Sequence, residues 1–336
     1  MPRVQINAAK LKPSPHGTTA PSASFLPSGS TLLDLANGGG WGIGSVVNIV
    51  GDRSSGKTLL AIEACANFAL LYGTSQIRYA EAEAAFSVDY ARSIGLPHGV
   101  MPTETGEIST VEDFAKDFHK FLDGCDGKQP SLYILDSLDA LSDDTEAESE
   151  IGTATYGTKK ARMMSEMFRR YVALSSEKRC TLIIISQIRD NIGVTFGQSK
   201  TRSGGRALDF YSSQIVWLAE IKKLTRTVSG QPRVMGVQVL AKNRKNKLGL
   251  PFREAEFSLL FQYGIADEVS MMDWLKKYKA ESLLPDPLDS YDRRLKNCMF
   301  EKDRAGVRLI NEQLSEAVAK RWYDIEEALT PPMSKY

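Results

Sequence analysis

The chain has 336 residues, enough to bury at least one full core, and its apolar and charged fractions, 42% and 25%, are those of a globular protein. Lysine and arginine (42) almost balance aspartate and glutamate (41), so the total charge does not indicate a general polyanion-binding surface, and any nucleic-acid site must be local. The sequence has no membrane-length apolar run, signal peptide or CxxC pair, which argues against a membrane protein, an exported protein and a zinc ribbon and predicts a cytoplasmic protein.

Short apolar runs alternate with helix-length segments over most of the chain. Residues 1–30, rich in Pro, Ser, Thr and Gly, predict a flexible arm. The alternation that follows predicts an α/β fold, with a mainly parallel sheet and helices on both faces. The predicted strands are 45–50, 76–79, 131–136 and 181–187, and the predicted helices are 57–72 and 159–176. Three later runs without long helices between them predict antiparallel strands at the sheet edge, at 213–220, 233–240 and 254–261.

The end of the chain is highly charged and helical in pattern. Helices are predicted near residues 270–280 and 306–329, with Pro285 and Pro287 between them. The sequence therefore predicts three parts. They are an arm at 1–30 that also serves in oligomerisation, a nucleotide-binding core at 31–266, and a small helical domain at 267–336.

A glycine-rich motif joins the first long predicted strand to the first long helix. It matches GxxxxGK[ST] completely, in the strand–loop–helix context where successive backbone N–H groups surround phosphate oxygens. In such a loop Lys57 reaches the β- and γ-phosphates of ATP, and the Thr58 hydroxyl binds Mg²⁺. The predicted nucleotide-binding residues of the loop are Gly51, Asp52, Arg53, Ser54, Ser55, Gly56, Lys57 and Thr58.

Carboxylates follow two other predicted strands. Asp136 ends an apolar run, at the strand end where open α/β sheets place their ligands, and we predict that it holds Mg²⁺. Glu81 and Glu83 follow the second strand, where a carboxylate would lie beside the γ-phosphate and could orient or deprotonate the attacking water. Spacing alone does not choose between these two glutamates.

These pieces, in this order, resemble the RecA/RadA recombinase family, and its bacterial RecA branch more closely. The resemblance runs from about residue 27 to residue 265. Ala82-Glu83, followed by Asp89-Tyr90-Ala91-Arg92, is similar to the family stretch that carries the catalytic glutamate and an adenine-stacking tyrosine. The resemblance therefore implies a RecA-like core in which Glu83 is the base, Tyr90 stacks on adenine and Phe261 is a second aromatic near the nucleotide.

The most specific part of the resemblance lies between Ser186 and Tyr211. It is similar to the second DNA-binding loop of RecA, bounded by a glutamine, here Gln187, that senses the γ-phosphate. A long loop in a compact domain is usually functional or disordered, and apolar residues on it suit contact with nucleobases. The implied DNA contacts are Arg189, Ile192, Gly193, Val194, Phe196, Lys200, Arg202, Gly204, Gly205 and Arg206.

Residues 148–162 resemble the family's first DNA-binding loop. The spacing from Gly157 to Arg162 is one residue longer than in the family. The implied DNA contacts are Tyr156, Lys159, Lys160 and Arg162. A solvated helix start explains the same basic residues, so both interpretations stay open from the sequence.

A basic run near residue 245 resembles the strand end where RecA carries two lysines that reach into the ATP site of the neighbouring subunit. Counting back from Pro251-Phe252 selects Lys245 and Lys247. In the family these lysines neutralise transition-state charge in trans, as an arginine finger does. Lys242 and Arg244 leave the register of this assignment open.

The resemblance implies an ATP-dependent recombinase that uses ATP and Mg²⁺, forms a helical filament on single-stranded DNA and exchanges strands with a duplex. Implied partners are single- and double-stranded DNA, further copies of the chain, and single-strand-binding or mediator proteins, with no membrane. A basic second loop and the lack of a long acidic tail suit a phage- or plasmid-encoded protein, which a virus would express in the host cytoplasm. The alternatives are a helicase or recombination mediator of the same fold, a non-enzymatic filament scaffold, and a metabolic kinase.

Overall fold

The computed structural model describes residues 24–83, 86–142, 158–190, 200–202 and 205–332. The first half of the chain forms β1 (Phe25–Leu26), α1 (Thr31–Asn37), β2 (Trp41–Gly42), β3 (Val46–Gly51), α2 (Lys57–Tyr72), β4 (Ile77–Glu81), α3 (Val88–Ser93), α4 (Val111–Asp123) and β5 (Ser131–Asp136). The second half forms α5 (Thr158–Glu177), β6 (Cys180–Asp190), β7 (Lys200–Arg202), α6 (Gly205–Tyr211), β8 (Gln214–Val228), β9 (Gln231–Asn246), β10 (Glu254–Leu260), β11 (Gly264–Ile265), α7 (Asp267–Lys277), α8 (Leu288–Glu301) and α9 (Arg304–Leu329).

The central sheet has the strand order β11-β10-β9-β8-β3-β6-β5-β4, and β7 pairs with β6 beyond this path. β3 is parallel to both β6 and β8, and β5 is parallel to both β4 and β6. β9, β10 and β11 continue the sheet in antiparallel pairs. The predicted fold class is therefore confirmed, with a parallel centre and antiparallel strands at one edge.

The parallel strands are buried on both faces. In β3, Val47 and Ile49 belong to one hydrophobic cluster, which includes residues of α2, while Val46 belongs to a second cluster with residues of α4 and α5. In β6 the same alternation places Ile183 in the first cluster and Ile184 in the second. Such strands read as continuous apolar runs, which is why the sequence predicts them closely.

β8 and β9 form a hairpin longer than the predicted strands. Its turn is Ser229-Gly230, where both residues have positive φ (50° and 74°), as a two-residue hairpin turn requires. The half of the hairpin next to this turn is largely exposed and lacks the apolar pattern of a buried strand. The predicted range 213–220 therefore ends close to where the burial of β8 ends, whereas the predicted range 233–240 covers only the middle of β9.

Between residues 267 and 332 the structure contains three α-helices, α7, α8 and α9, where the sequence predicted two. α8 was missed because it buries only Tyr291 and Leu295 among its fourteen residues, and because its highly charged sequence follows Pro287. α9 places Ile310 and Leu314 in the hydrophobic cluster that also contains residues of α1. The division of the chain at residue 267 stays a prediction.

The start of the described chain is tied to the core. β1 pairs with β2 in antiparallel register, and the Phe25 ring lies so close to Gly39 that a Cβ there would collide with it. Residues 1–23 of the predicted arm lie outside the described residues. In the part of the chain that the structure describes, no helix has both the length and the apolar character needed to cross a membrane.

Candidate functional site

The loop between β3 and α2 is closely packed at its glycines. Gly51 ends β3, and a side chain there would collide with the Ser55 hydroxyl. Gly56 is the N-cap of α2 with a φ of 91°, a left-handed conformation that favours glycine, and a side chain there would meet Leu259. The loop can therefore take this conformation only with glycine at these two positions, and it ends at the positive end of α2.

Lys57 is the first residue of α2 and is only 8% exposed. Its Nζ donates a hydrogen bond to the Asp52 carbonyl oxygen at 2.6 Å. Burial lowers the pKa of this ammonium, and the carboxylates of Asp136 and Glu83 act in the opposite direction. Lys57 is therefore a cation that lies among carboxylates at the base of the loop.

Asp136 lies at the end of β5, beside the end of β4, where Glu81 is its register partner. Its carboxylate accepts a hydrogen bond from the Tyr79 hydroxyl at 2.9 Å and another from the Thr58 hydroxyl. Burial raises the pKa of Asp136 to about 6, while these two hydrogen bonds lower it. The two predicted metal ligands, Thr58 and Asp136, are thus neighbours in the same cleft.

Glu81 and Glu83 differ sharply in position. Glu81 is buried, and its backbone N–H donates to the Thr103 hydroxyl at 2.8 Å. Glu83 lies beyond the strand, where its Oε1 accepts hydrogen bonds from the Ser137 hydroxyl and from Nε2 of Gln187, the latter at 2.9 Å. Glu83 is therefore the glutamate that contacts the glutamine on β6.

A cleft of about 430 Å³ opens over this group of residues. Its lining includes Lys57, Thr58, Glu83 and Asp136 together with aromatic residues, of which Tyr90 and Phe261 are exposed. These two rings are half exposed, at 48% and 53%. The cleft therefore combines the backbone of the glycine-rich loop, carboxylates and exposed aromatic surface, a combination that suits a nucleotide.

Lys245 and Lys247 lie together at the C-terminal end of α6. Lys245 Nζ donates to the carbonyl oxygens of Asp209 and, at 2.9 Å, Phe210, and Lys247 Nζ is 3.4 Å from the same Phe210 oxygen. Both ammonium groups satisfy the carbonyls that a helix leaves unpaired at its end.

The two other basic residues of this strand make different contacts. Lys242 forms an ion pair with Glu254 at 2.9 Å, and the Arg244 guanidinium lies over the Trp217 ring at 5.3 Å from its centroid. The register shift between Ile215 and Val216 leaves Arg244 as the extra residue of a β-bulge. Neither Lys242 nor Arg244 therefore shares the contacts that Lys245 and Lys247 make with α6.

The predicted DNA contacts are only partly described. Tyr156, Ile192, Gly193, Val194, Phe196 and Gly204 lie outside the described residues. Only secondary structure is described for Lys159 in α5, Arg189 in β6, Lys200 and Arg202 in β7, and Gly205 and Arg206 in α6. β6 and β7 pair in antiparallel register, Ile188 with Arg202, so the two ends of the predicted second loop are adjacent.

Two basic residues of the predicted first loop have described side chains. Arg162 is exposed on α5. Lys160 is half-buried, and its Nζ donates to the carbonyl oxygens of Leu138, at 3.3 Å, and Leu141. Lys160 therefore contacts the turn after β5, a structural role that the sequence interpretation did not include.

Sequence reasoning also missed Asp139 and the structural role of Tyr79. Asp139 lies in the short 3₁₀ turn Leu138–Ala140, and its Oδ2 accepts a hydrogen bond from the Gln187 backbone N–H at 2.6 Å. Its position three residues after Asp136 was the signal available in the sequence. No sequence signal indicated the role of the Tyr79 hydroxyl, because a tyrosine within an apolar strand is predicted to be a core residue.

Comparison with known proteins agrees with this geometry. Residues 16–266 match the RecA N-terminal domain family. The chain is 36% identical to Protein RecA of Borrelia duttonii over 271 residues, covering 80% of this chain and 71% of that protein. It is 33% identical to Protein RecA of Chlamydia caviae over 314 residues, covering 91% and 84%.

A crystal structure of the RadB recombinase is similar in fold, with a TM-score of 0.52 at 18% identity, covering 72% of this chain and 98% of that one. The matched segment contains the glycine-rich loop, Asp136, Glu83 and Gln187. The chain belongs to the RecA family of recombinases, which act in recombination and repair, and this membership implies a DNA-dependent ATPase.

Proposed function

We propose that the chain binds ATP with Mg²⁺ in the cleft, assembles as a helical filament on single-stranded DNA, and exchanges strands with a homologous duplex. One observation carries the proposal: Glu83, Gln187 and Ser137 meet in a single hydrogen-bonded group beside Lys57. Lys57 and the candidate base Glu83 both line the cleft, and the hydrogen bond from Gln187 to Glu83 links them to the strand that leads into the predicted DNA loop. This arrangement suits an ATPase whose nucleotide state controls DNA binding.

The donor set fits a magnesium ion. Glu81, Glu83 and Asp136 line the cleft, and among its described lining residues Lys57 is the one cation. The raised pKa of Asp136, about 6, marks a buried carboxylate that a divalent cation would stabilise in its ionised form. Thr58 and Asp136 would hold the ion, since hydroxyl and carboxylate oxygens suit Mg²⁺. When bound, it would neutralise charge on the phosphate oxygens.

The residues of the chain would divide the work of hydrolysis. The backbone of residues 51–58 and the Lys57 ammonium would bind the phosphates, and Tyr90 would stack on the base. Glu83 would orient the attacking water and accept its proton at a carboxylate oxygen. The Gln187 amide, which donates to Glu83 in this structure, would turn to the γ-phosphate when ATP is present.

Lys245 and Lys247 would complete the site of the adjacent subunit. In this structure both ammonium groups contact backbone carbonyls at the end of α6, and in a filament phosphate oxygens of the adjacent subunit's ATP would replace these carbonyls. An ATP that joins two subunits would favour filament growth, and its hydrolysis would weaken the interface. The nucleotide would thereby control assembly and release.

DNA would bind where the two predicted loops line the filament axis. Basic residues such as Arg162 would contact phosphates, and apolar residues of the second loop would contact bases. Watson–Crick pairing, and not the protein, would choose the sequence. Binding through phosphates would make DNA affinity fall steeply with salt.

The proposal is tested by phosphate release with and without single-stranded DNA, together with electron microscopy of the assembly. We expect DNA to stimulate hydrolysis and helical filaments to form with a non-hydrolysable ATP analogue. Rings instead of filaments would favour a helicase or mediator. Hydrolysis that ignores DNA entirely would favour a metabolic kinase, and ATP binding without turnover would favour a scaffold.

A further inference from the structure

The C-terminal end of β6 extends beyond the end of its neighbour β5. Its pairing with β5 stops at Ile184, because β5 ends at Asp136 and the chain turns away. β6 nevertheless continues to Asp190. Gln187 lies on this extension, so its backbone cannot use a partner on β5.

The turn after β5 supplies a partner for the Gln187 backbone. Asp139 lies in this turn, and its carboxylate Oδ2 accepts the Gln187 N–H at 2.6 Å. A charged acceptor makes this hydrogen bond one of the stronger kind. The turn is itself held by Lys160, which donates to the carbonyl oxygens of Leu138 and Leu141.

Besides its pairing with Gly51 of β3, Gln187 thus makes two further contacts. Its side-chain amide donates to Glu83, and its backbone N–H donates to Asp139. The side-chain contact is free to change by rotation about side-chain bonds, whereas the backbone contact fixes the strand itself. When the Gln187 amide changes its hydrogen-bond partner, a fixed backbone would transmit that movement to residues 188–190. Without the backbone contact, the end of β6 would fray and the movement would be lost.

We propose that Asp139 is a positioning residue that fixes the Gln187 backbone and so couples the nucleotide site to DNA binding. The inference rests on the proposed function and adds a residue to it. Asp139 touches neither the substrate nor the reacting atoms in this role; it acts through Gln187. Removing it should weaken the effect of ATP on DNA affinity more than it weakens ATP binding.

A purely electrostatic role is the competing explanation. Asp139 is close enough to Lys57 to influence the charge of its ammonium, so the carboxylate could act on the phosphate site directly. Asp139→Asn separates the two roles, because the amide oxygen can accept the same N–H without carrying the charge. Asp139→Ala removes both the acceptor and the charge. Asp139→Leu removes both while keeping the number and branching of the side-chain heavy atoms, and it replaces Asp139→Ala if the latter unfolds.

The experiment compares the full-length wild type, Asp139→Asn, Asp139→Ala and a control, Asp123→Ala, whose side chain is 64% exposed on α4. The first measurement is single-stranded DNA affinity with a non-hydrolysable ATP analogue divided by the affinity with ADP. The second is hydrogen exchange of the Gln187 amide in the free protein. The third is affinity for the ATP analogue without DNA.

Asp139→Ala should reduce the ATP-to-ADP affinity ratio by about tenfold, within the usual range of coupling between two sites. It should speed Gln187 exchange by about tenfold or more, as expected when a hydrogen bond to a charged group is lost. Asp139→Asn should keep both the affinity ratio and the Gln187 exchange rate close to their wild-type values. Affinity for the analogue without DNA should change little in any variant.

Three outcomes would overturn the inference. An unchanged affinity ratio in Asp139→Ala would show that the hydrogen bond between Asp139 and the Gln187 N–H does not couple the two sites. If Asp139→Asn and Asp139→Ala lower the affinity ratio equally, the negative charge of Asp139, and not its hydrogen bond, is responsible for the coupling. A wild type whose DNA affinity ignores the nucleotide would overturn the proposed function and the coupling with it, while Gln187 exchange would still report whether that hydrogen bond exists.

Discussion

The side-chain amide of Gln187 donates a hydrogen bond to Oε1 of Glu83 at 2.9 Å, although the two residues are 104 positions apart in the chain. Glu83 is the candidate base, and Gln187 lies at the start of the predicted second DNA-binding loop. A nucleotide that draws the amide away from Glu83 would also change the surroundings of that carboxylate. Hydrolysis and DNA binding would therefore depend on a shared contact.

Replacement of Glu83 tests the assignment of the base. Glu83→Gln keeps an acceptor for Ser137 but removes the proton-accepting carboxylate. We expect phosphate release in the presence of DNA to fall roughly 100-fold or more, with nucleotide binding retained. Glu81→Gln is the matched control, since this neighbouring glutamate is buried on β4. Loss of turnover in Glu81→Gln with normal turnover in Glu83→Gln would reverse the assignment.

Replacement of Lys57 tests the phosphate site. Lys57→Ala removes the one cation among the described residues that line the cleft, so we expect nucleotide-dependent turnover to be abolished. Lys116→Ala, an exposed residue of α4, controls for the loss of a lysine. Phosphate release and nucleotide binding are the measurements. Robust hydrolysis by Lys57→Ala would place the ATP site elsewhere.

The two lysines at the end of α6 are predicted to act on the neighbouring subunit. Replacing both Lys245 and Lys247 by alanine should eliminate DNA-stimulated hydrolysis while monomers still bind nucleotide. Replacing Lys242 and Arg244, whose contacts are Glu254 and Trp217, is the matched control.

A mixing experiment decides between action in trans and in cis. The Lys245/Lys247 double variant has an intact glycine-rich loop, and Lys57→Ala has intact lysines. Mixed filaments should therefore recover part of the hydrolysis that neither protein shows alone. If mixing restores nothing and the double variant no longer binds nucleotide as a monomer, the lysines act in cis.

The buried carboxyl of Asp34 predicts a pH dependence of stability. Burial raises the pKa of Asp34 from 3.8 to about 8, although its Oδ1 accepts the Ser28 N–H at 2.8 Å. Between these values the folded protein keeps a proton that the unfolded chain has lost. The contribution of Asp34 to the free energy of unfolding should therefore fall as the pH rises from about 4 to about 8.

Asp34→Asn isolates this effect, because the amide keeps the shape and cannot ionise. Urea unfolding at several pH values should show a smaller decline for the variant. Near pH 8 the variant should be more stable than the wild type by more than about 1 kcal/mol, the equivalent of one pKa unit. Asp123→Asn is the exposed control. Parallel pH curves for Asp34→Asn and the wild type would contradict a raised pKa at Asp34.

Features encoded by neighbouring residues were predictable from the sequence. The glycine-rich loop is one continuous motif, and β5 is one apolar run ending in Asp136, so both were located without knowledge of the fold. The parallel centre of the sheet followed from runs such as Val46–Gly51, whose residues are buried on both faces. Here local pattern and tertiary structure agree.

Features that depend on where strands end were not predictable. The contact between Asp139 and Gln187 exists because β6 continues beyond the end of β5. The pattern of apolar residues in the sequence does not encode that difference in strand length. α8 was missed because only Tyr291 and Leu295 are buried in a charged helix. The hairpin beyond Leu218 was underestimated for a similar reason, since its outer half is exposed.

Strand invasion of a supercoiled duplex tests the central proposal most directly. The purified protein is mixed with ATP, Mg²⁺, a single strand and a homologous supercoil, and displaced-loop formation is measured beside Lys57→Ala and a non-homologous strand. We predict displaced loops with the wild type and the homologous strand only. A protein that binds ATP and DNA but forms no displaced loops under these conditions would contradict strand exchange as its function.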